Sequence, residues 1–362
     1  MNALPRNLSL VTTLCVLLSG CAQTGPPLPP SLELPKPPSD LRAGRKGNRV
    51  TLTWTEPTRT TDRQSVRYLG PTRICRSLEA EIKDCGNPVG QLPPPPRPTH
   101  PFRAMQAEPQ VFADPLPSPI QEQNPTGDIT YAVEVLNRDG RSAGLSNRVQ
   151  VAAVPTLPPP PDFHAELAAS GVEFTWTSAG ETSAPPGVQH RYRIYRRDET
   201  AGKDAIASEV PIGEAGPMHT QDSTFEWEKT YLYRITSVSI LIRPGGEAQV
   251  EGDDSPTARI IAHDTFPPAV PAGLQAVYSG EGQKPFVDLI WAPVTDADLA
   301  GYNAYRREAD NTPVKLNSEL VKSPSYRDSA VASGKTYFYS VSAVDVRGNE
   351  SARSEEANET VP

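Results

Sequence analysis

Three times along this chain an alternating segment closes on tryptophan: Val50-Thr51-Leu52-Thr53-Trp54, Val172-Glu173-Phe174-Thr175-Trp176 and Val287-Asp288-Leu289-Ile290-Trp291. Successive strand side chains point to opposite faces, so a period of two with β-branched residues marks a half-buried β-strand. Each segment follows a Pro-rich join with a short apolar strand, at Pro35 to Leu41, Pro158 to Phe163 and Phe266 to Leu274. Each leads to a further segment: Arg73-Ile74-Cys75-Arg76, Tyr192 to Arg197 and Tyr302 to Arg307. A short signal ending in aspartate comes next, at Asp114, Asp222 and Asp328. Last is Thr130-Tyr131-Ala132-Val133, Thr230-Tyr231-Leu232-Tyr233 or Thr336-Tyr337-Phe338-Tyr339. A unit repeated in this way is one supersecondary module used three times.

Composition agrees. The 362 residues suggest two or three domains, and the 41 prolines against 25 glycines suit short strands joined by loops and linkers. A formal charge of −8 without a basic cluster argues against a nucleic-acid footprint.

Tryptophan near the end of the second strand, a third strand carrying Tyr and Arg, and a Thr-Tyr strand together resemble bacterial fibronectin type III modules. The likeness runs from Pro35 to Pro362 and is clearest in the third copy, at Trp291, Asp296, Asp298, Leu299, Gly301 and Tyr302. It implies an all-β chain of three tandem immunoglobulin-like sandwiches, seven-stranded and Greek-key. The expected domains are 35–154, carrying Pro-rich insertions, 158–263 and 267–361. Trp54, Trp176, Trp291, Tyr131, Tyr231 and Tyr337 are expected in the cores. The three tyrosines match the position where such sandwiches brace a corner with the phenol. A sugar-stacking platform is the rival reading of these rings, and their inward strand phase favours the core.

The N-terminus points elsewhere. Arg6 precedes an apolar run from Leu8 to Leu18, too short to span a bilayer but of the length of a signal-peptide core. Leu18-Ser19-Gly20-Cys21 resembles the bacterial lipobox. The resemblance implies a signal peptide at 1–20, a diacylglyceryl group on Cys21, and a Pro-rich tether at 21–34. Residue 22 is alanine rather than aspartate, which resembles outer-membrane sorting if the cell has two membranes. The expected location is the cell envelope, with the membrane as one partner through the acyl chains.

With Cys15 removed and Cys21 acylated, Cys75 and Cys85 remain, and an isolated pair in an exported protein reads as a disulfide. Cys75 aligns with Tyr195 and Tyr305. The hairpin partner of the third copy's strand would fall near Val314-Lys315-Leu316, ten residues on, where Cys85 lies in the first copy. A cross-strand bridge closing that hairpin is the expectation. A metal-binding thiol pair lacks a nearby histidine and a second cysteine pair.

Catalytic signals are sparse. His100, His164, His190, His219 and His263 are scattered, and no Gly-x-Ser-x-Gly, phosphate-loop or His-Glu-x-x-His motif occurs. Asp296-x-Asp298 falls short of a calcium shell of six to eight oxygens and reads as a loop organiser. No catalytic site, metal or cofactor is expected, and the integrin-type Arg-Gly-Asp tripeptide is absent. The first copy is longest between its Trp and Tyr landmarks, with extra sequence at Asn87 to Pro109 and Pro115 to Asp128. Long loops on a sandwich commonly carry function, which makes them the place for an envelope protein or polysaccharide ligand. Pro93 to Pro98 suits a polyproline ligand or, as the favoured reading, a stiff surface loop. An interaction module, a passive spacer and, more distantly, a surface enzyme with a site between modules are the functions this organisation allows.

Overall fold

The computed structural model describes residues 32–94, 96, 107–180, 184–279, 282, 284–309 and 311–362. The signal segment, Cys21 and most of the tether lie outside them, as do residues 97–106 of the first insertion. The chain divides into two compact units, Met1–Pro155 and Thr156–Pro362.

In the first unit, β1 (Arg42–Lys46), β2 (Arg49–Thr55) and β5 (Pro109–Pro115) pair antiparallel in the order β1-β2-β5. They face β3 (Thr72–Ser77), β4 (Gly90–Leu92), β6 (Asp128–Val135) and β7 (Val149–Ala152), in the order β4-β3-β6-β7. The alternation of β2 sends Val50, Leu52 and Trp54 inward. There they pack with Leu41, Ile74, Ile129, Tyr131 and Val133. Burying each such side chain contributes roughly 1.5–3 kcal/mol, which sets the strand phase.

The second unit contains two further cores. The first lies between β8 (His164–Ala168), β9 (Gly171–Ser178) and β12 (Gly216–Asp222) on one side and a larger sheet on the other. That sheet is built on β10 (Val188–Asp198), β11 (Asp204–Pro211) and β13 (Thr230–Arg243). Strand β13 pairs first with β15 (Ala258–Ile261) and then with β14 (Gly246–Asp254), in a ladder that shifts register between Thr236 and Val238. Pro244 and Gly245, the latter at positive φ, make the two-residue turn of the β13–β14 hairpin.

The second core lies between β16 (Gln275–Ser279), β17 (Phe286–Ile290) and β20 (Ser325–Asp328) and the sheet β19-β18-β21-β22. Those strands are β18 (Leu299–Glu308), β19 (Val314–Lys315), β21 (Thr336–Asp345) and β22 (Ala357–Thr360). Tyr337, Tyr339, Val341 and Ala343 all enter this core from β21, as their two-residue spacing requires. Trp291 stands just beyond β17 and is buried.

Candidate functional site

The chemistry-bearing residues gather in the same way in all three sandwiches. Register places Arg76 opposite Tyr131, Arg196 opposite Tyr233 and Arg306 opposite Tyr339. Residues opposite one another share a face, so each Arg and Tyr together meet the aspartate that ends a strand of the facing sheet. The Tyr131 hydroxyl donates to Asp114 Oδ2 at 2.7 Å, and Arg76 donates to the same oxygen at 2.7 Å. Tyr233 and Arg196 reach Asp222 at 3.1 and 2.8 Å, and Tyr339 and Arg306 reach Asp328 at 3.1 and 2.7 Å. Burial first, and then the adjacent carboxylate, pushes all three phenols well above the ordinary tyrosine range. A phenol locked in its neutral form and a carboxylate gripped by that phenol and an arginine form a structural brace.

This register corrects the sequence alignment of the first copy. Tyr231 and Tyr337 brace their corners by accepting a hydrogen bond from the Glu226 and Ala332 amides, at 3.0 Å each. Tyr131 does not. It is the counterpart of Tyr233 and Tyr339, and Ile129 holds the corner position in the first sandwich. Trp54, Trp176 and Trp291 are all buried, and the last two meet Tyr192 and Tyr302 edge-on at 5.5 and 5.2 Å.

Cys75 and Cys85 form a disulfide with a Cα–Cα separation of 5.3 Å. It differs from the expected bridge in one respect. Strand β3 pairs with β4 through Thr72–Leu92 and Ile74–Gly90, so Cys85 lies in the connecting loop and not in the paired strand. The longer connection of the first copy delays its partner strand, and the bridge cinches the loop instead. At the equivalent position the other copies use a phenol: Tyr195 donates to Glu251, and Tyr305 to Glu350 at 2.6 Å.

The second insertion of the first copy packs partly into its own sandwich. It contains a one-and-a-half-turn helix, α1 (Ser118–Gln123), which the residue pattern does not announce. Leu116 enters the core ahead of it. Buried Gln121 donates to Asn48 Oδ1 at 2.8 Å and to the Leu116 carbonyl at 3.0 Å, and accepts from Arg45 at 2.8 Å. Sequence reasoning missed this network because its members are up to 76 residues apart. Among the described residues of the first unit, the exposed large apolar side chains are Leu32, Tyr68, Leu78 and Val111, set on separate segments.

On the outer faces of the second and third sandwiches, half-buried rings are covered by guanidinium groups. Arg234 lies 4.5 Å from the Tyr195 centroid, Arg307 4.2 Å from Phe338, and Arg327 3.9 Å from Phe286. Carboxylates hold those arginines in place: Asp204 at 3.1 Å, Glu356 at 2.5 Å and Asp288 at 2.7 Å. A ring face that already carries a cation is not free to stack on a sugar.

Asp296 Oδ2 accepts the Ala269 amide at 3.1 Å, which ties the loop before β18 to the Pro-rich join that opens the third copy. Asp298 lies with Asp264 and Asp345 in a group whose carboxylate oxygens fall within 4.8 Å of one another. Arg347 donates to Asp264 at 3.1 Å and Asn349 to Asp345 at 2.8 Å, so two of the three carboxylates are already engaged by the protein. His263 Nδ1 sits 2.9 Å from Glu228, while His100 lies outside the described residues. No helix among the described residues is long and apolar enough to cross a membrane.

The strand order, with an A-B-E-type sheet facing a C′-C-F-G-type sheet, makes these sandwiches fibronectin type III-like. No family model matches the chain. A stretch of 127 residues, 35% of this chain, is 36% identical to an amylopullulanase of Thermoanaerobacterium saccharolyticum, and spans 9% of that protein's length. Among solved structures, a Fn3-like protein from Clostridium thermocellum is 32% identical. The match covers 27% of this chain and 96% of that one, with a TM-score of 0.23. The FN1–FN3 domains of chicken CNTN1 are 16% identical over 91% of this chain and 100% of that one, with a TM-score of 0.25.

Proposed function

We propose that this chain is a lipid-anchored, non-catalytic cell-envelope protein. In this reading its fibronectin type III-like sandwiches hold an interaction surface, formed by the first sandwich, away from the bilayer. The observation that carries the reading is how the reactive and aromatic groups are used. Each buried carboxylate of the braces is taken by an arginine and a tyrosine. The outer rings of the later sandwiches lie under arginines. Such surfaces suit a spacer, and leave recognition to the first copy with its additional loops.

The anchor rests on Leu18-Ser19-Gly20-Cys21. Two or more acyl chains, at ~0.8 kcal/mol per buried CH₂, hold a protein on a membrane where one chain binds only reversibly. The similarity to an amylopullulanase makes pullulan the first polysaccharide to test as ligand. The measurement is intact mass with metabolic acyl labelling of the mature protein, beside a Cys21→Ala variant. The expected result is a chain that begins at Cys21, carries acyl mass, and leaves the membrane fraction in the variant. An unacylated, freely soluble mature chain would overturn the anchor. Retardation of the mature protein in a pullulan gel would support the interaction surface. Equal migration with and without pullulan would favour the second reading, a passive spacer, which the covered rings and the core-filling α1 segment also suit.

A further inference from the structure

The second and third sandwiches meet through a short turn of the third, Asp345 to Asn349, which leaves the end of β21. This turn is held by hydrogen bonds of its own. Asp345 Oδ1 accepts the amides of Arg347 and Asn349 at 2.8 Å each, and Gly348 takes the positive φ that closes the loop. The result aims the Arg347 side chain outward from the end of the third sandwich. Its guanidinium donates to Glu228 at 3.2 Å and to Asp264 at 3.1 Å, and lies 5.9 Å from the centre of the Trp227 ring. Asn349 adds a bond to the Asp264 carbonyl at 3.2 Å.

The receiving side is equally prepared. Asp264 is buried and its Oδ1 accepts the Phe266 amide at 3.2 Å. Glu228 is held by His263 at 2.9 Å. Trp227 stacks edge-on with Phe225 at 4.8 Å and lies 6.1 Å from Phe266, the residue that opens the Pro267-Pro268 join. Tandem domains with a small polar contact ordinarily move against one another. Here one planar cation is gripped by two carboxylates, one of them shielded from water, and by a ring face. Those are conditions under which a charged contact keeps its strength.

We infer that Arg347, Glu228, Asp264 and Trp227 form a lock that holds the second and third sandwiches at one fixed angle, so that the pair behaves as a single rigid arm. The lock is independent of what the protein binds and of whether it is acylated. It is tested by electron–electron resonance distances in the full chain, with Cys15 and Cys21 replaced by serine and spin labels on Lys203→Cys and Ser318→Cys. Both label sites are exposed, one on each sandwich. The expected result is one narrow distance distribution that broadens in Arg347→Ala. It should stay narrow in Arg327→Ala, which removes an exposed ion pair within the third sandwich. If Arg347→Ala does not fold, Glu228→Gln with Asp264→Asn carries the same expectation. A broad distribution in the parent, or one equally narrow after removal of the lock in a folded variant, overturns it.

Discussion

Asp114, Asp222 and Asp328 are carboxylates withdrawn from water, a transfer that costs several kcal/mol per ion unless each lone pair finds a donor. The fold supplies them. Arginine and tyrosine share one oxygen, and in the later copies the Thr224 and Ala330 amides take the other at 2.9 and 3.0 Å. Removing the carboxylate alone takes the charged partner from the arginine and an acceptor from the buried phenol. Asp328→Ala is therefore expected to cost about 3–5 kcal/mol, and Tyr339→Phe, which leaves the ion pair intact, about 1–3 kcal/mol, both read from urea midpoints. A loss below 1 kcal/mol for Asp328→Ala, on the same scale, would remove the brace from this account. The phenols give a pH dependence. Their native ionisation is raised, whereas an unfolded tyrosine loses its proton near pH ~10. Above that pH the unfolded chain binds fewer protons than the native one, so this contribution is intact below pH ~10 and is lost as pH rises further. Absorbance at 295 nm should show some of the 12 tyrosines ionising early and the rest only as the fold is lost. A single titration of all of them in a chain that stays folded would contradict it.

At the scale of elements, the first sandwich carries two devices the others lack. The disulfide closes a loop of ten residues in sequence separation, for which loop entropy gives ~2.5–3 kcal/mol. Cys75→Ser with Cys85→Ser should lower the stability of that sandwich by this amount in denaturant titrations, while the later sandwiches keep their midpoints. The segment leading into α1 fills the core through Leu116, so Leu116→Ala is expected to cost about 2–5 kcal/mol, again confined to the first transition. An unchanged midpoint would mean that the segment lies loosely on the sandwich. Strand β14 shows why some elements escape a sequence reading. Gly246–Asp254 is rich in glycine and acidic residues, and it is a strand because β13 offers it a ladder.

At the scale of the whole molecule, the three principal cores share no side chain. Asp114→Ala, Asp222→Ala and Asp328→Ala should therefore each lower a different calorimetric transition, the last two coupled to the extent that Arg347 ties their sandwiches together. Equal loss across all transitions from any one variant would show a single cooperative unit instead.

The repeat, the strand phase and the inward residues were readable from the residues alone, because a period of two is local and each face needs only its own neighbours. The corner tyrosines show the limit. A slip of two residues leaves every side chain on the same face, so Tyr131 looks inward whether it pairs with Tyr231 or with Tyr233. Only the register against Arg76 and Asp114 decides. Cys85 likewise needed the actual position of β4, and the covered rings needed arginines from other strands. Glu228 and Arg347 lie 119 residues apart, and no local pattern records that they meet. Local periodicity determined the units of this protein, and contacts between distant residues decided what each unit's polar groups do.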